Sequence, residues 1–464
     1  MNDFEDNNEE FDSLIKSIEL KLKNKDSFYL DVEEIGNVSS YYLEKGLTKK
    51  ALAVLRIGLN LHPISAEIKL HLAQVYTAQG DYKNALKFAE ASEEIDPNNL
   101  EVIILKAEIY SYEGSHDKSI EYYLDYINKG GNEGLELIYN DLAWEFESTQ
   151  DYDNALKYLK LALEENPEED TLLFEIAYFY EELGQQDECI KYYNKFLDEN
   201  PYSYNGWYNL GIVHNERKEF KKAVFAFDYA TIIKEDFASA YFNKGNSHFN
   251  LNEYGQALEC YYKTFEYEDN QAITFCYIGE CYEKLENFPE AEKSFEIALS
   301  INEDMQEALV GMAIIKDKQG YTAQSVPFIE KAIGLYPKSS SCWYVAGEVY
   351  NKLEHQEDAY QAYLNADKFN KENNQQIWLD LSNFIAENIS ITEAIEFSEK
   401  HTDNIQVKYR LVAYYLLLGK GKKAYSLLEE CLGQDFDAHR NLLEYHEEIM
   451  ELPEFISLIE GFNS

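Results

Sequence analysis

Apolar residues along this chain keep a helical beat, and small residues keep a slower one of 34 positions. Ala51, Ala85, Ser119, Ala155, Cys189, Ala223, Ala257, Ala291, Ser325, Ala359, Ala394 and Ala424 recur so that nine of the eleven steps are 34 or within one residue of it. The stretch from Tyr204 to Phe237 gives the clearest copy. There Trp207, Leu210, Gly211 and His214 fall at helical spacing, as do Phe220, Ala223, Phe227 and Ala230, with polar Arg217, Lys218 and Glu219 between the two sets. The pattern predicts two amphipathic helices joined by a turn. Gly211 and Ala223 are expected to be small so that the helix axes approach, with Trp207 and Phe227 filling the space beside them. A unit this short cannot bury its apolar face alone, so it must stack on like units, and the stack is a solenoid.

The run Trp207-x-x-Leu210-Gly211-x-x-His214, then Ala223-x-x-x-Phe227, resembles the tetratricopeptide repeat, whose signature is W-x-x-L-G-x-x-Y, A-x-x-x-F and a late Pro. His214 stands in place of the Tyr. The copy holding Trp343, Gly347, Tyr350, Ala359 and Tyr363 matches nearly as well, and Pro63, Pro97, Pro167, Pro201 and Pro337 stand where the family often ends its second helix. The resemblance covers almost the whole chain. It implies an all-α, right-handed α-solenoid of about twelve tetratricopeptide-like helix-turn-helix repeats.

Some copies depart from the pattern. Lys316 takes an aromatic position, Val412 takes a Gly or Ala position, and the step from Ala394 to Ala424 shortens to 30, changes expected to loosen local packing. The step from Ser119 to Ala155 lengthens to 36 around Lys129-Gly130-Gly131-Asn132-Glu133-Gly134. Three glycines there cannot continue a helix cheaply, and the segment reads equally as a flexible joint or as a longer loop in a straight stack. The expected organisation is an acidic tail and capping helix over 1–31, repeats 1–3 over 32–133, repeats 4–10 over 134–373, degenerate repeats 11–12 over 374–432, and C-terminal capping helices over 433–464. Phe11, Leu14, Ile15, Ile18 and Leu22 form the lid at one end, and residues 1–10 are expected to be disordered. At the other end Leu442, Leu443, Ile449 and Met450, then Pro453 opening a helix with Phe455, Ile456 and Ile459, are expected to cover the last repeat.

Charge narrows the partners. Against 41 basic residues stand 86 acidic ones, a net charge of -45 that repels a phosphate backbone, so nucleic acid is not an expected partner. No apolar run approaches the ~20 residues of a spanning helix, and the acidic start lacks a secretory pattern, so no membrane insertion and a cytoplasmic location are expected. Cys189, Cys260, Cys276, Cys281, Cys342 and Cys431 show no framework spacing and no C-x-x-C pair, which fits packing rather than disulfides or zinc.

Catalytic and metal motifs do not emerge. Gly419-Lys420-Gly421-Lys422-Lys423 lacks the phosphate-loop spacing and falls where the family turns between helices. His214 and His248 lie 34 apart at equivalent aromatic positions and are expected to pack in their repeats rather than bind metal. Carboxylates are too abundant for any pair to signal acid–base chemistry. Fewer than about forty residues flank the repeats at either end, so no appended enzyme domain is expected, and neither catalytic residues nor a cofactor are assigned.

The resemblance instead directs attention to the concave surface, where the first helix of each repeat would line a groove for an extended or helical peptide. Its outward positions are Trp144, Phe174, Tyr178, Tyr208, Ile212, Phe242 and Asn246, with Glu147, Glu181 and Asn215 beside them. An aromatic floor with an acidic flank suits a basic or apolar protein or peptide. The Lys, Asn and Arg clamp with which family members grip an acidic chaperone tail has no counterpart, since the corresponding faces offer Phe174, Tyr178, Asn209, Asn243 and Tyr277. The expectation is a non-catalytic protein-interaction scaffold or adaptor. The alternative is a regulatory subunit that masks an enzyme or transcription factor, and a helical-repeat nucleic-acid binder ranks behind both.

Overall fold

Several helices are started by a capping side chain. Asp31 opens a capping box with Glu34: its carboxylate accepts from the Glu34 backbone N–H at 2.8 Å, and the Glu34 carboxylate accepts from the Asp31 N–H at 3.0 Å. Ser65, Ser203 and Ser339 cap first helices through their hydroxyls, and Asp81 and Asp151 cap second helices. Each such cap stabilises its helix by about 1 kcal/mol.

The computed structural model describes residues 13–20, 29–167, 169, 171–268, 271–444 and 452–463, and among these every regular element is helical. The chain divides into two compact units at Arg217/Lys218. Unit 1 holds α1 (13–20), α2 (Val32–Glu44), α3 (Thr48–Leu61), α4 (Ala66–Ala78), α5 (Tyr82–Glu93), α6 (Leu100–Tyr112), α7 (His116–Asn128), α8 (Leu135–Ser148), α9 (Tyr152–Glu165), α10 (Leu172–Glu182), α11 (Gln186–Glu199) and α12 (Tyr204–Glu216). Unit 2 holds α13 (Phe220–Ile233), α14 (Ala238–Asn250), α15 (Tyr254–Thr264), α16 (Ala272–Lys284), α17 (Phe288–Ile301), α18 (Gln306–Lys318), α19 (Thr322–Leu335), α20 (Ser340–Lys352), α21 (Gln356–Lys368), α22 (Gln375–Asn388), α23 (Ile391–Ser398), α24 (Ile405–Leu417), α25 (Gly421–Gln434) and α26 (Pro453–Asn463). In chain order α2 to α25 are the first and second helices of twelve repeats. Within each unit a helix packs on its repeat partner and on the next repeat, and first helices also touch one another, as α2 does α4 and α18 does α20. This nearest-neighbour stacking is that of an α-solenoid.

Two devices recur inside the repeats. The glycine of the signature makes room for a ring 16 positions on: a Cβ at Gly245, Gly279 or Gly347 would meet the ring of Tyr261, Phe295 or Tyr363 within 2.8 Å. Phe295 is also met by Gly311 of the following repeat, so one ring fills the junction of two repeats. The close approach expected of the small positions is therefore an approach of backbone to ring. The second device is the turn. In eleven repeats the same position takes a left-handed conformation, with φ from 57° to 84°. Glycine fills it at Gly46, Gly80 and Gly320 among others, but Gln150, Lys218, Asn252, Glu286 and Glu354 adopt it with a side chain.

Tryptophan and proline of the signature also meet. The indole N–H of Trp207 donates to the Pro201 carbonyl at 3.0 Å, and that of Trp343 to the Pro337 carbonyl at 2.9 Å. Trp207 is half-buried, while Ala223 and Phe227 are wholly buried. Lys316, expected to loosen its repeat, instead pairs with Glu292 of the preceding one, and Gln319 donates to the same carboxylate at 2.8 Å. The charge keeps contact where the ring is missing. The short step before Ala424 is explained by α23, which has 8 residues.

The glycine-rich connection after α7 wraps a side chain. Gly131 lies against the Tyr126 ring, and the Tyr126 hydroxyl donates to the Glu133 carbonyl at 2.9 Å. At the chain ends Ile15, Ile18 and partly buried Leu14 join the first repeat's core, while Leu442, Phe455 and Ile459 join the last. Ile456 does not: it is 42% exposed, because the buried stripe of α26 runs through Phe455 and Ile459 on another face. Residues 1–10, Phe11, Leu22, Ile449 and Met450 lie outside the described residues, as does the Leu443 side chain.

Candidate interaction surface

A first helix gives part of its circumference to its partner and part to its neighbours, and what remains faces outward. On α8 that remainder shows Trp144, 52% exposed, and on α10 it shows Phe174 and Tyr178, each 43% exposed. The Trp144 ring meets His116 edge-on at 5.6 Å, and the His116 Nδ1 lies 2.7 Å from the carboxylate of buried Glu145. Phe174 leans on Tyr208 of α12 at 5.9 Å, and α10 touches α12 directly. Tyr208, Ile212 and Asn215 are half-buried on α12, and Glu147 and Glu181 are exposed on α8 and α10. These eight residues belong to unit 1.

Phe242 and Asn246 belong to unit 2 and serve its packing. Half-buried Phe242 lies 5.8 Å from the Tyr261 ring and 5.5 Å from that of Tyr277, and Asn246 accepts the Tyr261 hydroxyl at 2.8 Å. Asn209 and Asn243 turn back on their own helices, donating to the Asn205 and Ser239 carbonyls at 2.9 and 3.0 Å. His214 is buried, and His248 has its Nδ1 2.7 Å from Glu253. All six cysteines are free and buried. Burial pushes the thiols of Cys189, Cys276 and Cys281 up to about 12, so they stay protonated and unreactive at neutral pH.

A second outward position of the repeat went unread in the sequence. Glu108, Glu280 and Glu348 share one position of the repeat, on α6, α16 and α20. Burial raises the Glu280 carboxyl to about 7, helped by repulsion from Glu283 and Glu307 and opposed by Lys284. Burial and then Asp380 raise Glu348, and burial and then Asp141 raise Glu108. The only signal was Glu at the same repeat position in three copies, with Trp144, Tyr178, Ile212, Asn246 and Ile314 at that position in the copies between, visible only once the register of the repeat is known. Among the described residues, no group of three or more His, Cys, Asp or Glu side chains is placed to hold a metal ion, and no helix is long and apolar enough to cross a membrane.

Comparison with known proteins agrees with this architecture. The tetratricopeptide repeat family matches over residues 42–109, 140–204 and 238–270. The chain carries tetratricopeptide repeats over these segments. Protein unc-45 homolog B of Xenopus tropicalis is 28% identical over 99 residues, which are 21% of this chain and 11% of that protein. This tetratricopeptide-repeat chain thus matches about a ninth of that relative's length. Among solved structures, a tetratricopeptide repeat protein from Parabacteroides merdae is 18% identical, with 54% of this chain and 99% of that one covered at a TM-score of 0.45. The Cut9-Hcn1 hetero-tetramer of the APC/C is 13% identical over 87% of this chain and 90% of that one, at 0.43. YrrB, described as having an unusual peptide-binding site, is 20% identical over 40% of this chain and 95% of that one, at 0.32.

Proposed function

We propose that the protein is a non-catalytic interaction scaffold that binds a peptide segment or partner protein along the first-helix face of its repeats. The observation that carries this reading is the exposure of Trp144, Phe174 and Tyr178 on two first helices of unit 1, with Glu147 and Glu181 beside them. Exposed aromatics bury large area on binding at little rotamer cost, and acidic rims speed encounter with basic partners. A basic or apolar polypeptide suits that surface, and the net charge of -45 disfavours nucleic acid. Six unpaired thiols suit a reducing compartment such as the cytoplasm. The test is cross-linking and affinity capture with the full chain, followed by Trp144→Ala, Phe174→Ala and Tyr178→Ala. Cross-links to α8 and α10 that vanish in the variants support the site; a partner cross-linked only elsewhere, with affinity unchanged in all three, rejects it.

A further inference from the structure

Unit 2 carries a groove of its own along its first helices. A cavity of about 850 Å³ opens between α18, α20 and α22 over an apolar floor that includes Val310, Ile314 and Ile377. A smaller one of about 270 Å³ lies between α16 and α18, shares Val310 and Ile314 with the first, and is walled by Glu280, Glu283 and Glu307. The groove therefore joins an apolar trough to an acidic end. Lys284 lines this end as well, 3.9 Å from Glu283, and Lys318 engages Glu283 at 2.7 Å. Among the described residues no ion pair engages Glu280 or Glu307. Lys338 and Lys371 stand at the opposite rim, on the loops that close the larger cavity.

The occupant follows from complementarity. An acidic segment would meet a wall of its own sign at Glu280 and Glu307. A purely apolar segment would fill the trough but leave Glu280 and Glu307 desolvated with no ion-pair partner among the described residues and only Lys284 nearby, at a cost that grows with burial. A long basic side chain satisfies both, because its methylene stem lies along apolar surface while its head reaches the carboxylates. Packed helices lie ~8–10 Å apart, and an extended chain covers that distance in about three residues at ~3.3 Å each.

We propose that the unit 2 groove binds an extended polypeptide segment that places a lysine or arginine at Glu280 and Glu307 and, about three residues away, a bulky apolar side chain over Val310 and Ile314. The acidic excess lies at the α16 end, where Glu280, Glu283 and Glu307 face Lys284 and Lys318, whereas Lys338 and Lys371 offset Glu348 and Glu372 around the larger cavity, so the cation belongs at the α16 end. This inference rests on the reading of the chain as a polypeptide scaffold, but it uses none of the unit 1 residues.

The test is selection of phage-displayed random 12-residue peptides on the full-length protein, followed by fluorescence anisotropy with the enriched peptides. The comparison variants are Glu280→Gln/Glu307→Gln, Ile314→Ser and, in unit 1, Trp144→Ala/Tyr178→Ala. Expected are peptides pairing Lys or Arg with a large apolar residue about three positions away, bound at least about ten-fold more weakly by the Gln double variant and by Ile314→Ser. The unit 1 variant should bind them unchanged. The Gln variant should melt no lower than the parent, since it relieves like-charge repulsion, so lost binding cannot be lost fold. Acidic consensus peptides, or basic ones whose affinity the Gln variant keeps, would overturn the proposal. Enrichment abolished only by Trp144→Ala/Tyr178→Ala would overturn it while sustaining the unit 1 site, and no enrichment at all would count against both.

Discussion

The outward faces of the two units are built on one repeat and differ in what α8 and α10 present on one and α16 to α20 on the other. In unit 1 the first helices α8 and α10 present aromatic rings to solvent at Trp144, Phe174 and Tyr178. In unit 2 the first helices α16, α18 and α20 present Glu280, Val310, Ile314 and Glu348 around hollows. Beneath both faces the interior is nearly the same, with a small residue at the head of each second helix and a large side chain further along it: Ala85, Ala155, Ala257 and Ala291 are wholly buried, as are Leu159, Tyr261 and Phe295. Stacking constrains the interior because each repeat must fit its neighbours. It leaves the outward positions free to diverge, and two chemistries have grown on one frame.

If that division holds, interior and surface changes should differ most in stability. Phe295→Ala removes a buried ring shared by two repeats and should cost about 3–5 kcal/mol in chemical denaturation. Hydrogen exchange should quicken first around α16 to α18. A loss spread evenly over the helices of unit 1 as well would break the nearest-neighbour picture.

The carboxylates of unit 2 give the next effect. Glu280 is raised from 4.5 to about 7, so between those values the folded chain holds a proton that the unfolded chain has released, and stability falls as pH rises through that window. The size is on the order of 3 kcal/mol. Glu280→Gln should flatten the fall in melting temperature between about pH 4.5 and 7, though not abolish it, since Glu108, Asp141 and Glu348 are raised too. An unchanged pH profile would show Glu280 to be freely solvated.

For the aromatic face the readout moves from stability to affinity. Trp144→Ala or Phe174→Ala should weaken binding of a partner by about 1–2 kcal/mol while shifting the melting point little. Calorimetry beside thermal melts separates the two. A large drop in melting temperature would assign that ring to packing.

The smallest effect lies in the turns. Glu286→Gly and Gln150→Gly replace a side chain held at φ 57° and 61°, and each should stabilise by about 0.5–1 kcal/mol, less than the full left-handed cost because glycine also frees the unfolded chain. Equal gains in both units would mark the turn as common frame.

How much of this the sequence disclosed follows the same division. Ala51 to Ala424 and the turn at Lys218 were legible because each answers to the repeat's own geometry, which fixes spacing. The direction of a surface ring does not. Phe242 and Trp144 sit at outward positions of their helices, yet Phe242 is drawn in by Tyr261 and Tyr277 while Trp144 stays out. That choice depends on which side chains the adjoining repeats supply. The glutamates of unit 2 were hidden for another reason: with 86 acidic residues, a carboxylate gains meaning only from burial and neighbours, which a sequence does not list.

The ring of Phe295 also bears on how such a chain can be recombined. By sequence it belongs to one repeat, but glycines in two successive first helices are cut away to admit it, Gly279 before and Gly311 after. Duplicating or transplanting a single helical hairpin would strand that ring against a backbone carrying a Cβ it cannot tolerate. The smallest exchangeable block in this stretch is therefore three helices, from α16 through α18. A crossover between α17 and α18 would succeed only into a recipient whose next first helix already carries glycine at the matching place.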